Sequence, residues 1–192
     1  MDELRKALLA YVPLDAREAR DREVMLEALD RQYDVLTREN PFCHFTASSW
    51  IVNPARTKAL MAFHNIYRSW AWTGGHADGE AELLSVALRE AREETGVADI
   101  RPVSEDVYSL EILPVFAHVK RGEPVAAHLH LNLTYLLTAD DAQPIRPKPD
   151  ENSAVAWLPL DEAADCREEP FMSITYRKLN QKLTAFPMDA HT

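Results

Sequence analysis

The sequence predicts an α/β domain in which helices flank a mixed sheet, and three observations predict it. Short extended runs rich in aromatic, Thr and Val residues, such as 45–52, stand on both sides of one stretch of strong helical periodicity, 83–95. That helix follows a strand and a glycine turn, and strands resume after it, the alternation that layers helices on a sheet. Segments of helical pattern also lie before the first strand and after the last. The expected organisation is a helical N-terminal extension (1–40), an α/β domain (41–165) and a C-terminal helix within 166–192 that packs back on the domain.

In the N-terminal segment, Asp15 followed by Glu18 has the spacing of a capping box, and Met25, Leu26, Leu29, Tyr33 and Leu36 then recur at helical intervals. Asn40-Pro41 closes it. Its apolar stripe has to be buried, on the domain or on a second subunit, so a homodimer is among the expected arrangements. Residues 45–52 and 58–64 read as strands joined by the turn Asn53-Pro54-Ala55-Arg56. Tyr67, Trp70 and Trp72 lead into Gly74-Gly75, as rings wedged under a loop rather than stacked on a base.

From Leu83 to Thr95, Leu84, Ala87, Leu88, Ala91 and Thr95 form one apolar stripe, and Gly96 stops the helix at the position that tolerates positive φ. Glu90, Glu93 and Glu94 fall at i, i+3 and i+4, crowding three carboxylates beside the negative end of the helix dipole. A positive partner is required there, and a hard divalent cation with oxygen ligands, Mg²⁺ or Mn²⁺, is the simplest. Arg89, four residues before Glu93, favours a plain solvated face when the helix is read alone.

Beyond Gly96, residues 107–120 and 126–138 read as two longer strands joined by the hairpin turn 121–124. In the second, His128, His130 and Asn132 alternate with Leu129, Leu131 and Leu133, which sorts polar and apolar residues onto opposite faces. A histidine pair at i, i+2 lines a pocket or, more commonly, the wetter face of a half-buried strand. A Pro-rich loop at 144–149 precedes Glu151, and a Trp-containing strand and a short helix start follow. Tyr176, Leu179 and Leu183 place a helix in the tail.

The net charge of −10 disfavours a nucleic-acid partner, since phosphate contacts need clustered Lys and Arg. No apolar run approaches the ~20 residues of a membrane span, and the charged opening Met-Asp-Glu-Leu-Arg-Lys is unlike a secretory signal. Cys43 and Cys166 lie far apart with no metal-binding spacing, which fits a reduced, cytoplasmic protein.

Taken together, Gly74 to Val97 resembles the Nudix box, Gly-x5-Glu-x7-Arg-Glu-U-x-Glu-Glu-x-Gly-U with U aliphatic. Arg89, Glu90, Ala91, Glu93, Glu94, Gly96 and Val97 occupy the second half of the motif. Counted from Gly75, the motif's first Glu falls on Ala81, with Glu80 and Glu82 on either side. The resemblance implies an α/β/α sandwich over roughly residues 45–165. It also implies metal-dependent hydrolysis of a phosphoanhydride in a nucleoside diphosphate linked to another moiety, or in a related small pyrophosphate compound. On this reading Glu90, Glu93 and Glu94 hold the metal and Glu93, Glu90 and Arg89 serve catalysis, Arg89 by orienting a glutamate. Gly75, His128, His130 and Glu151 are expected near the substrate, Glu151 also as a further ligand or base. Two rival readings are a nucleotide-binding or regulatory domain without turnover, which Ala81 favours, and an isomerase of the same superfamily. Glu82, seven residues before Arg89, is the expected substitute for the missing glutamate.

Overall fold

The computed structural model describes residues 1–31, 34–120, 122–166 and 168–186. Two helices open the chain, α1 (Asp2–Ala10) and α2 (Ala16–Asp30). Asp15 caps α2 by accepting from the Glu18 amide at 2.8 Å. The Glu18 side chain does not return to close a capping box but turns inward. Because α2 ends at Asp30, Leu36 is not helical, and Tyr33 lies outside the described residues.

The next elements are β1 (Cys43–Val52), β2 (Lys58–His64), β3 (Trp70–Ala71), β4 (Thr73–His76), α3 (Leu83–Thr95) and β5 (Arg101–Pro102). Then come β6 (Ser109–Val115), β7 (His118–Lys120), β8 (Glu123–Val125), β9 (His128–Thr138), β10 (Asn152–Pro159), α4 (Leu160–Ala163) and α5 (Pro170–Ala185). The main sheet runs β10-β2-β1-β9-β5, with β3 on β2, β4 on β1 and β6 on β9. β1 and β9 are parallel from Cys43↔Leu129 to Val52↔Thr138, whereas β1 meets β2 and β4 antiparallel. The sheet is therefore mixed, as expected. The anticipated long hairpin is interrupted. β6 and β9 pair as far as Val115↔His128, the chain leaves the sheet at Phe116-Ala117, and β7 and β8 form a separate ribbon. Arg121, in the predicted turn, lies outside the described residues.

Strand alternation divides the core. On one face Phe45, Ala47 and Ile51 of β1 and Leu131 and Leu133 of β9 meet Leu83, Val86, Ala87 and Ala91 of α3. Leu84 and Leu88, expected at the centre of the helix stripe, are only partly buried against that core. On the other face Trp50, Met61 and Leu136 meet Tyr176, Leu179 and Leu183 of α5, with Trp50 stacked on Tyr176 at 5.4 Å. Trp70 and Trp72 pack edge-on against Phe63 and Tyr176, so both rings serve packing. α1 and α2 enter the first core through Leu4, Leu8, Met25 and Leu29. α2 also shields the β6 edge, where Asp21 accepts the Ile112 amide at 3.4 Å.

The polar residues of β9 alternate as predicted, and their face is buried from Asn132 onward, while His128 and His130 are only half-buried. Asn132 accepts from the Thr46 and Ser48 hydroxyls at 2.9 and 2.8 Å and donates to Glu111 at 3.0 Å. Glu111 meets Lys178 of α5 at 2.9 Å. Glu18, 1% exposed, accepts from Tyr11 at 2.6 Å and pairs with Lys178 and Lys182 at 2.9 and 3.1 Å. Such a fully partnered buried network ties α2, β6, β9 and α5 together. Cys43 and Cys166 are free thiols, and among the described residues no helix is long and apolar enough to cross a membrane.

Candidate active site

Gly74 and Gly75 sit in β4 opposite Ser48 and Ala47 of β1, and each meets a neighbour too closely for a side chain. A Cβ on Gly74 would fall 2.7 Å from the Ala47 carbonyl oxygen, and one on Gly75 would fall 2.6 Å from Cδ of Glu90. Gly75 therefore lets α3 lie directly on β4, while Gly74 lets β4 lie close on β1. The Gly74 amide donates to Oε1 of Glu94 at 2.9 Å, a bond that fixes a carboxylate buried to 5% exposure.

α3 ends as predicted, with Gly96 at φ 70° accepting the left-handed cap position. Beyond it the 146–152 loop folds back over the helix terminus, and the Arg146 amide donates to the Thr95 carbonyl at 2.7 Å. Asn152, fully buried, donates from Nδ2 to the Glu94 carbonyl at 3.0 Å and accepts the Lys148 amide at 3.1 Å. Its neighbour Glu151 is thereby placed beside the helix end.

Carboxylate oxygens of Glu90, Glu94 and Glu151 lie within 4.8 Å of one another. Burial pushes the Glu94 carboxyl up to about 8, against the Gly74 hydrogen bond, with the Glu151 and Glu90 charges adding to the rise. Burial also raises Glu90, opposed by Arg89. Three crowded acids with only hard oxygen donors fit a hard divalent cation, whose charge would offset both burial and repulsion.

Glu93 lies elsewhere. It projects to solvent and pairs with Lys148 at 3.1 Å, while Lys148 also reaches Glu151 at 3.0 Å. Burial works against the Lys148 ammonium, but the Glu151 and Glu93 carboxylates outweigh it and hold its pKa well above the usual lysine range. Arg89 pairs with adjacent Glu90 at 3.3 Å rather than with Glu93 four residues on. Glu82, expected to hold Arg89, occupies the N-cap with φ −85° and ψ 82°, outside the helix. The seven-residue helical offset therefore does not apply to it, and the expected substitution is not made. Glu80 accepts the Glu82 amide at 3.0 Å.

His128 and His130 lie on the sheet face opposite the Gly75–Glu90 contact, where His44 and His76 join them. A cavity of about 250 Å³ beside α4, lined by Trp70, Leu158, Glu162, Ala163 and Cys166 among others, includes none of the three carboxylates. Sequence reasoning missed Lys148 and Asn152, whose signal was a lysine set between Pro147 and Pro149 just ahead of Glu151. It also missed His44 and His76, which share strand parity with Thr46 and Gly74 respectively.

The family model of the NUDIX domain matches residues 44–179, well over half of the chain. The chain is 34% identical over 114 residues to the m7GpppN-mRNA hydrolase NUDT17 of Xenopus laevis, covering 56% of this chain and 36% of that protein. It thus spans about a third of that relative's length. The fold is similar to a C. elegans Ap4A hydrolase in a binary complex, with a TM-score of 0.55 at 20% identity over 74% of this chain and 98% of that one. It is also similar to the Nudix hydrolase RenU of M. smegmatis, with a TM-score of 0.53 at 18% identity over 75% and 88%. These two likenesses speak to the fold. With the family model and the glycine-backed acidic helix in agreement, the chain belongs to the NUDIX family.

Proposed function

We propose that the chain is a pyrophosphohydrolase that cleaves a phosphoanhydride in a nucleoside diphosphate linked to another moiety, with Mg²⁺ or Mn²⁺ held by Glu90, Glu94 and Glu151. The observation that carries the reading is the convergence of these three carboxylates at the end of α3, with Glu94 raised by burial and by the Glu151 and Glu90 charges and Glu90 raised by burial. A divalent cation held there would neutralise phosphate charge and acidify water. The chain's own groups do the rest. The Gly74 amide and Arg89 hold Glu94 and Glu90 in place. Glu93, exposed and outside the trio, accepts the proton of the attacking water, and Lys148 beside it meets charge on the leaving phosphate.

The NUDT17 relative is named for an m7GpppN-mRNA substrate, so a nucleoside joined through phosphates to a second group heads the candidate list. The net charge of −10 favours a small cap-like compound over a long polyanion. A panel of dinucleoside polyphosphates, cap dinucleotides and nucleoside diphosphate sugars, assayed with Mg²⁺ for nucleotide release, tests this. Turnover of at least one compound that stops on chelation is expected. Ala81 favours the second reading, a binding domain without turnover, and tight binding of the same compounds with no product would support it.

A further inference from the structure

Four histidines crowd the sheet face that the acidic helix does not cover. His44 and His130 stand opposite each other in the β1–β9 register, and His76 follows Gly75 on β4 beside Thr46. The His44 ring lies 5.1 Å from that of His76, 4.8 Å from His128 and 5.0 Å from His130, and His76 lies 4.9 Å from His130. Ring nitrogens of His44, His76 and His130 lie within 4.8 Å of one another. His44 is 4% exposed, and neither of its nitrogens has a hydrogen-bond partner of ordinary geometry, although the Asn40 backbone favours its protonated form. A buried polar ring left in that state points to a missing partner at the place where the other imidazoles converge.

We propose that His44, His76 and His130 form a second metal site, separate from the carboxylate trio, for a borderline divalent ion of the zinc class. Imidazole donors select such an ion over Mg²⁺, which prefers oxygen. Asp78, the carboxylate whose charge reaches His44 and His76, is taken by Arg38. Nε2 of His128 lies 3.3 Å from Nε2 of His130, about the 3.3 Å separating two nitrogens on a tetrahedral zinc ion. Nδ1 of His128 bonds the Ala126 carbonyl at 2.9 Å, which fixes its tautomer and makes it the next donor at hand. The remaining contraction among the three rings needs only rotation about soft His torsions. An ion there would clamp β1, β4 and β9 together at the strand that carries Gly74 and Gly75.

Untagged protein, stripped of metal and held in excess Mg²⁺ to fill the carboxylate site, is titrated with Co²⁺ alone and then with Zn²⁺. One equivalent of Co²⁺ should give the visible band of a tetrahedral ion, one equivalent of Zn²⁺ should displace it, and Zn²⁺ should raise the melting temperature. The band should be lost in His130→Ala and in His76→Ala, the latter a half-buried residue whose metal-free melting temperature checks that the fold is kept, and it should persist in Glu90→Gln and Glu94→Gln. Absence of the band in the parent protein would overturn the proposal. So would its survival in both histidine variants or its loss in the glutamine variants.

Discussion

Gly75 touches Glu90 across the gap between β4 and α3, so one missing side chain sets where a carboxylate can point. A Cβ at Gly75 would fall 2.6 Å from Cδ, 2.8 Å from Cγ and 2.8 Å from Oε1 of Glu90, all at the far end of a flexible side chain. Gly75→Ala should therefore leave the melting temperature nearly unchanged while turning Glu90 away from Glu94 and Glu151. The Mg²⁺ concentration for half-maximal turnover should rise about tenfold or more, the scale seen when a ligand's support is lost. A metal titration of both proteins reads this, and an unchanged half-saturation would show that Glu90 is no ligand. Periodicity alone exposed the acidic sector, but it did not separate its members. On a helix Glu93 lies 100° from Glu94. With Glu94 turned onto the Gly74 amide, Glu93 is carried out to Lys148.

At the scale of elements, α2 and α5 are joined through charges that neither segment announces. Glu18 reads in sequence as half of a capping box because Asp15 is three residues away, and the Asp15 half of that motif does form. Its inward carboxylate answers Lys178 and Lys182, far along the chain, which local spacing does not reveal. The same holds for β9, where alternation marked the polar face but only Glu111 and Lys178 make it a buried one. Glu18→Ala would leave Lys182 without its carboxylate and Lys178 with Glu111 alone, and should destabilise the fold by about 3–5 kcal/mol, measured by urea unfolding. Burial alone would raise the Glu18 carboxyl. Hydrogen bonds from the Leu14 amide and Tyr11, with the Lys178 charge, outweigh it and bring the group from 4.5 to about 2. Its contribution is thus complete above pH 4.5 and is lost as the pH falls toward 2. Stability of the parent protein should drop through that window, and Glu18→Gln should flatten the drop. Parallel curves for the two proteins would mean that other carboxylates govern the acid response.

For the whole molecule, the mixed sheet carries the two groups of side chains that could hold a metal on opposite faces of β4, and the helical additions bury what the sheet leaves open. The α/β class, the box helix and its glycine cap were legible because each rests on short-range periodicity or a single backbone requirement. The role of the 146–152 loop was not, because Lys148, Glu151 and Asn152 acquire meaning only when Asn152 bonds the last turn of α3. The proposed cation site uses Glu90, Glu94 and Glu151 and leaves Glu93 out. The most direct test is turnover measured against Mg²⁺ concentration for Glu151→Gln and Glu93→Gln beside the parent, on whichever compound of the panel reacts. Glu151→Gln should raise the half-saturating Mg²⁺ about tenfold or more, while Glu93→Gln should lower kcat and leave that concentration nearly unchanged. The reverse pattern, with Mg²⁺ dependence shifted by Glu93→Gln and untouched by Glu151→Gln, would contradict the site as assigned.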